Sequence, residues 1–187
     1  MLRLLLGLTL LHGAEAPAAF APDAAPPALA APIQRAEIAV KHLQQRLQAA
    51  LAEALRAGGP GAAVVVCRDK APALAGQVAR EEGVSVGRTS ARRRNPGNAP
   101  PPWASVTVAA ADGKRAEDVR PVAFDLGDRV GLLRPIAVGA PCLACHGPRA
   151  TLAPEVRDVL AKAYPADRAV DYATGDLRGF FWAEARK

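Results

Sequence analysis

Large side chains are scarce in this chain of 187 residues. Aromatic residues make up only 4% of it, although hydrophobic residues reach 50%, because much of the apolar content is alanine. A chain so poor in bulky residues builds a thin core, so a bulky bound group would add much to its stability. The length allows one domain with tails, which excludes multidomain enzymes and large solenoids.

Methionine, histidine and cysteine are also few, and their positions restrict the available chemistry. The sequence has 1 methionine, at position 1, together with 3 histidines and 3 cysteines. The odd number of cysteines leaves at least one thiol without a disulfide partner in the chain. The net charge of +6 is compatible with an acidic partner but does not identify one.

The first 16 residues have the pattern of a secretory signal peptide. Arg3 precedes an apolar run from Leu4 to Leu11, and Ala14 and Ala16 are the small residues of a cleavage site after Ala16. The run is much shorter than the roughly 20 residues that a helix needs to span a bilayer, so we expect cleavage rather than a membrane anchor. The mature chain is therefore predicted to be exported from a bacterium, to the periplasm or beyond, without stable membrane insertion.

Beyond the signal peptide, the sequence predicts a leader followed by a single domain. Residues 17–32 are rich in proline and alanine, which favours a disordered or extended segment. The order of elements in residues 33–187 predicts the α+β class, with one mostly antiparallel sheet and a long N-terminal helix. The predicted elements are a helix over 33–57 that ends at Gly58, Gly59 and Pro60, a strand over 62–67, a helix over 71–82 closed by Gly83, a strand over 84–90, a loop over 95–102, a hairpin over 119–138 with its turn at Gly127 and Asp128, a helix over 154–163, and a strand from Leu177.

Cys142, Cys145 and His146 form a C-x-x-C-H motif, the attachment signature of a c-type haem. Two thiols separated by two residues reach the two vinyl groups on one edge of the porphyrin and bond to them as thioethers, and the adjacent imidazole meets the iron. The motif therefore predicts one covalently attached haem c, with His146 as the proximal ligand.

Two other chemistries also use closely spaced cysteines. A C-x-x-C pair can serve a thiol-disulfide oxidoreductase, in which the following helix stabilises the first thiolate, but Gly147 and Pro148 interrupt that helix at once. A structural zinc site needs four ligands, and no second C-x-x-C completes the set. The dithiol enzyme, using Cys142 and Cys145, stays open as the alternative function.

The sixth coordination position of a haem iron would need a ligand other than methionine, because the mature chain contains none. His42 is one candidate, but it lies nearly opposite the apolar stripe of its predicted helix, where a surface histidine is the ordinary interpretation. Cys67 is the other candidate, an unpaired thiol at the end of the strand predicted over 62–67, where a buried apolar cysteine is the ordinary interpretation. Because a thiolate ligates iron well and ligation would protect it from oxidation, we favour Cys67 as the distal ligand.

Four stretches carry a wider pattern: VVVCRDKAPALA (64–75), GRTSARRRNPGNAPPPW (87–103), LLRPIAVGAPCLACHG (132–147) and YPADRAVDYATGDLRGFF (164–181). Together they resemble the family of PAS-like c-type haem domains, found as exported cytochromes and as extracytoplasmic sensor domains of bacterial signalling proteins. The resemblance implies a PAS-like sheet over which the haem sits, with iron ligation by His146 and Cys67. Asp171 departs from the family pattern, which usually has glycine before Tyr172.

Arginines are densest between residues 88 and 94. Nucleic-acid binding would be the first interpretation in a cytoplasmic protein, but the predicted export argues against nucleic acid as a partner. One remaining interpretation is a solvated loop. The other is that Arg88 or Arg94 pairs with the haem propionates, whose carboxylates suit a guanidinium group.

These features together predict an exported mono-haem c-type cytochrome that acts in one-electron transfer or as a redox- or gas-sensing module. A thiolate ligand would stabilise ferric iron and so lower the reduction potential, and six-coordination would leave no position for a substrate, so we do not expect an enzyme. The cytochrome c maturation machinery would attach the haem, and a separate redox or signalling protein would be the functional partner. A purely structural haem is a further alternative.

Overall fold

A computed structural model describes residues 17–187 of the chain. The predicted signal peptide, residues 1–16, lies outside the described residues. The α+β class, the long N-terminal helix and the antiparallel sheet that the sequence predicts are confirmed. The elements are β1 (Ala19–Phe20), α1 (Pro27–Glu82), β2 (Ser85–Thr89), α2 (Ser105–Ala110), β3 (Val122–Asp125), β4 (Arg129–Ala137), α3 (Leu143–His146), α4 (Pro154–Ala163) and β5 (Leu177–Arg186).

The five strands form one sheet in the order β1-β3-β4-β5-β2, with every neighbouring pair antiparallel. Since side chains alternate across a strand, β5 sends Phe181 and Ala183 to the face covered by α1 and Phe180 to the opposite face, which α2 covers. The hairpin of β3 and β4 and its turn agree with the prediction, as do the helix α4 and the strand that begins at Leu177. The sheet thus positions the segments that connect its strands, including the C-x-x-C-H segment, which follows β4.

Helix α1 is broken near its middle. Gly58 and Gly59 have non-helical backbone angles, with φ of 70° at Gly59, which is the left-handed region that glycine tolerates best. We call residues 27–57 the first arm and residues 60–82 the second arm. Arg46 of the first arm pairs with Glu81 near the end of the second, so the two arms run antiparallel to each other. The break therefore folds the second arm back along the first.

The strand predicted over residues 62–67 is wrong, because these residues form the start of the second arm. Pro60 opens this arm, where its fixed φ and missing N–H are tolerated. Val64 is buried against Val156 and Leu160 of α4. This tertiary packing outweighs the preference of β-branched residues for strands. Cys67 consequently lies on a helix and not at the end of a strand.

The leader predicted over residues 17–32 also differs from the structure. Ala19 and Phe20 pair with β3 as an edge strand, and α1 begins at Pro27, six residues before the predicted start. Leu29 and Pro32 are buried in the core between α1 and the sheet. The segment is ordered because its few apolar residues cover the end of the sheet, which its proline and alanine content does not reveal.

By length and composition alone, α1 is apolar enough to cross a membrane. An 18-residue window within it has a mean hydropathy of 1.3, and 17% of that window is buried. The helix is interrupted at its two glycines, and its first arm packs against the sheet through Ile33, Val40 and Leu43. The absence of stable membrane insertion stays a prediction.

Candidate functional site

The C-x-x-C-H motif forms one compact turn after β4. A short 3-10 turn, Ala140–Cys142, leads directly into the single turn of α3, so that Cys142 and Cys145 lie three residues apart on one helical turn. Gly147 ends the turn by donating its N–H to the carbonyl of Leu143 at 2.9 Å. A Cβ at position 147 would lie 2.6 Å from that same carbonyl oxygen, so the turn needs glycine directly after the histidine.

His146 has the protonation pattern of a metal ligand. Its Nδ1 lies 2.7 Å from the carbonyl oxygen of Ala169. Because a carbonyl only accepts, Nδ1 carries the proton and Nε2 keeps its lone pair free. Burial lowers the pKa of His146 well below its usual range, and the neighbouring charges of Arg178 and Arg94 lower it further. The imidazole is therefore neutral, with Nε2 available as a donor.

The segment 167–172 holds the C-x-x-C-H motif in place through backbone hydrogen bonds. The N–H of Tyr172 donates to the carbonyl of His146 at 3.0 Å, and the N–H of Asp171 donates to the carbonyl of Gly147 at 2.9 Å. Asp171 has a φ of 62°, the left-handed region, and its carboxylate accepts the N–H of Arg149 at 2.7 Å. This contact stabilises a backbone conformation that usually favours glycine, which is the residue that the family pattern has there.

Tyr172 and two arginines form a stacked group beside His146. The rings of His146 and Tyr172 meet edge to face, with centroids 6.3 Å apart. The guanidinium carbon of Arg92 lies 3.8 Å from the centroid of the Tyr172 ring, and that of Arg178 lies 5.5 Å from it. These are cation–π distances, so two positive charges lie over the tyrosine ring that contacts the histidine. Arg92 Nε is buried without a hydrogen-bond partner in the described part of the chain.

Cys67 lies on the second arm of α1, close to the C-x-x-C-H turn. Burial raises the pKa of the Cys67 thiol, while Arg88 and Arg94 act in the opposite direction. Burial also raises the pKa of Cys145, and the charge of Cys67 raises it further. The Cys145 sulfur also lies 3.9 Å from the carbonyl of Pro60, at the start of the same arm. All three cysteines are free within residues 17–187.

His42, the other candidate for a distal ligand, lies far from this site. Its Nδ1 is 2.7 Å from Glu82 Oε1, at the end of the second arm, and its side chain is 41% exposed. Fifteen helical residues separate Glu82 from Cys67, which is a distance of about 22 Å along the arm. His42 therefore lies away from the C-x-x-C-H turn, whereas the arm that carries Cys67 begins beside that turn.

Arg88 and Arg94 both reach the site, but they have different partners. Arg94 donates through Nε to Asp167 at 3.0 Å, and through one terminal nitrogen to the carbonyls of Ala169 and Cys145. Arg88, on β2, faces the α1 side of the sheet and has no side-chain hydrogen bond within residues 17–187. Burial lowers its pKa, and the neighbouring Cys67 counteracts this. Arg88 thus keeps its donors available for a bound carboxylate or a thiolate.

Sequence reasoning did not single out Asp167, Ala169, Arg92 or Arg178 as site residues. Their importance arises from the return of residues 167–178 to the C-x-x-C-H turn, and no local spacing signals it. The available signal was their position, since all four lie within the stretches that carry the family pattern.

The donor set fits a c-type haem. The neutral imidazole of His146, with a free Nε2, directly follows the closely spaced thiols of Cys142 and Cys145. The charges of Arg88 and Arg94 lower the pKa of both Cys67 and His146. The described residues contain no group of three His, Cys, Asp or Glu side chains placed to hold one metal ion.

Comparison with known proteins agrees with this description. The model of the Tll0287-like family matches residues 27–184. The chain belongs to the Tll0287-like family. This confirms the family resemblance drawn from the sequence motifs. The stretch that the family model matches includes all of α1, the C-x-x-C-H turn and most of β5.

A solved structure has the same fold. The crystal structure of the cyanobacterial haem protein Tll0287 aligns with a TM-score of 0.62 at 23% sequence identity, covering 87% of this chain and 98% of that one. No curated protein matches the chain. The structural likeness shows the shared fold, and the chemistry of this chain is argued from its own residues.

Proposed function

We propose that this chain is an exported mono-haem c-type cytochrome with a PAS-like fold. Cys142 and Cys145 would bind the porphyrin as thioethers, His146 would be the proximal iron ligand and Cys67 the distal one. Membership of the Tll0287-like family, together with the shared fold of Tll0287, which is a haem protein, supports haem as the cofactor.

The observation that carries this proposal is the hydrogen bond from His146 Nδ1 to the Ala169 carbonyl. A metal-binding histidine usually donates its second ring N–H to a carbonyl or carboxylate, which fixes the tautomer and makes the ligand nitrogen more basic. The lowered pKa of His146 keeps this nitrogen unprotonated at neutral pH. A histidine placed only for packing would not require this tautomer directly after a C-x-x-C pair.

Cys67 is the distal ligand that best fits the contacts. In the haem-free protein burial raises its pKa and keeps it a thiol, so ligation would release a proton, as metal binding to cysteine does. Arg88 supplies a positive charge beside the resulting thiolate, and its unused donors suit a haem propionate. A thiolate ligand favours ferric iron, so we expect a low reduction potential.

Bound haem would supply a one-electron ferric/ferrous couple. The chain's own residues would hold both axial positions, which leaves none for a substrate and favours one-electron transfer or redox or gas sensing over catalysis. Either role needs a second protein, a redox partner or a signalling partner. Attachment of the haem would need the cytochrome c maturation machinery, which acts after export, and a location in the periplasm or beyond is part of the proposal.

The test is a visible spectrum of the exported protein, produced together with a cytochrome c maturation system, followed by a pyridine haemochrome of the denatured chain. We expect a c-type haemochrome that stays with the polypeptide and a ferric spectrum typical of thiolate ligation. A colourless, correctly processed protein would contradict the proposal and favour the dithiol chemistry of Cys142 and Cys145.

The ligand assignment is tested by Cys67→Ser, with His42→Gln as the control. We expect Cys67→Ser to abolish the thiolate spectrum and to raise the reduction potential by at least about 59 mV, a tenfold shift toward ferrous iron. His42→Gln should leave both unchanged, because His42 lies on the first arm and pairs with Glu82 at the end of the second arm, away from Cys67. An unchanged spectrum and potential in Cys67→Ser would show that Cys67 is not a ligand.

A further inference from the structure

Ala169 is held at both its N–H and its carbonyl by a buried ion pair. Arg94 and Asp167 are 12% and 2% exposed, and Arg94 Nε donates to Asp167 Oδ2 at 3.0 Å. The other oxygen of Asp167 accepts the N–H of Ala169 at 2.8 Å, and Arg94 donates to the Ala169 carbonyl at 3.1 Å. The same carbonyl accepts the Nδ1–H of His146. The ion pair thus fixes the one acceptor that orients the histidine.

Arg94 also binds the backbone directly before His146. The nitrogen that reaches Ala169 donates to the carbonyl of Cys145, the residue directly before His146. One guanidinium group therefore connects the backbone that carries the histidine with the carbonyl that accepts the hydrogen bond from its Nδ1–H. The planar fork of arginine can make these directional bonds together, and the flexible ammonium of lysine does not reproduce this geometry.

We propose that Arg94 is a positioning residue for His146, which acts by fixing the Ala169 carbonyl and not by binding a haem propionate. The proposal rests on the proposed function. A fixed carbonyl keeps the Nδ1–H bond short and the imidazole basic, which stabilises ferric iron. The sequence prediction that Arg94 contacts a propionate is not part of this proposal, since the partners of its guanidinium in the structure are Asp167, Ala169 and Cys145.

Arg94→Lys separates positioning from charge, because it keeps the charge and removes the fork. If Arg94 positions His146, the Nδ1–H bond loosens, the imidazole becomes less basic, and the potential rises by about 59 mV, a tenfold shift toward ferrous iron. If Arg94 acts only through its charge, or through a propionate that lysine can also bind, the potential does not change. Arg93→Lys is the matched control, since the adjacent Arg93 has none of these side-chain contacts in the described part of the chain and its backbone carbonyl accepts the N–H of Arg168.

A second readout follows the histidine proton itself. In the ferric protein, proton NMR resolves the Nδ1 proton of the ligand histidine, and we expect its exchange with D₂O to be at least tenfold faster in Arg94→Lys than in Arg93→Lys or in the unmodified protein. Equal exchange rates and equal potentials in the three proteins would overturn the proposal.

Asp167→Asn covers the case in which Arg94→Lys does not fold. Asparagine can still accept the Ala169 N–H, but its loss of charge releases Arg94, so the exchange of the Nδ1 proton should again accelerate at least tenfold. Unchanged exchange in a folded Asp167→Asn protein would overturn the proposal. A pyridine haemochrome of the unmodified protein is measured first: if it shows no covalent haem, the proposed function fails, whereas unchanged variants of a haem-loaded protein refute only the role of Arg94.

Discussion

Acidification below pH 6.5 is expected to destabilise the haem-free protein through His146. Burial lowers the pKa of its imidazole far below the ordinary value, and the charges of Arg178 and Arg94 lower it further, although the hydrogen bond to the Ala169 carbonyl acts in the opposite direction. In the unfolded chain a histidine has a pKa of about 6.5. The unfolded state therefore binds more protons than the folded state near pH 6, so this contribution to stability is complete above pH 6.5 and is lost as the pH falls.

The size of the effect follows from the linkage relation. Between pH 7.5 and pH 5.5 the unfolded histidine becomes almost fully protonated while His146 in the folded protein stays neutral, which lowers the free energy of unfolding by about 1.4 kcal/mol. For a chain of this size that is a fall in Tm of about 3 to 6 °C. Thermal unfolding of the haem-free protein, followed by circular dichroism at pH 5.5, 6.5 and 7.5, measures it.

Two variants identify the histidine responsible. His146→Gln should remove most of the difference in Tm between pH 7.5 and 5.5, whereas His42→Gln should retain it. Comparing slopes rather than absolute Tm values corrects for any direct cost of either substitution. The reasoning would be refuted if the slope persisted in His146→Gln or disappeared in His42→Gln, because the neutral, buried state of His146 would then not be its cause.

Two further predictions concern the sheet and its packing against α1. Leu43→Ala should lower the free energy of unfolding by about 2 to 5 kcal/mol in urea denaturation, since Leu43 is 1% exposed between α1 and the sheet; a loss below 1 kcal/mol would contradict that packing. Gly179→Ala should lower it by about 1 to 3 kcal/mol, because φ is 150° and the new Cβ would clash with the Thr89 carbonyl of the paired strand. Gly76→Ala, on a helix where the nearest atom to the new Cβ is 3.5 Å away, is the control and should be neutral or stabilising.

The chemistry of the site was more predictable than the backbone that carries it. Cys142, Cys145 and His146 are adjacent in sequence, so their spacing alone indicates what they can bind together. Cys67 was selected because the predicted mature chain lacks methionine, and the structure places it on the arm of α1 that begins at Pro60, whose carbonyl lies 3.9 Å from the Cys145 sulfur. Neither inference depends on whether the surrounding residues form a helix or a strand.

The errors have a common physical cause, which is packing that no local pattern shows. Residues 62–67 look like a strand because of their valines, but Val64 has its partners on α4, which is about 90 residues further along the chain. The order of residues 19–32 likewise depends on distant contacts with β3 and the core. The role of Ala169 was out of reach for the same reason, since an alanine carries no chemical signal and its carbonyl matters only because residues 167–172 return to His146.

The glycine break keeps Cys67 near the C-x-x-C-H turn, although the secondary structure of its segment was predicted wrongly. Cys67 follows Pro60 by seven residues, and the Pro60 carbonyl touches the sulfur of Cys145. As a helix, that interval extends about 10 Å, whereas a strand of the same length would extend about 23 Å and carry Cys67 well past the C-x-x-C-H turn. The helical second arm is therefore a requirement of the site. The φ of 70° at Gly59, which allows the arm to fold back, would therefore contribute to the proposed iron ligation although it lies eight residues from the thiol.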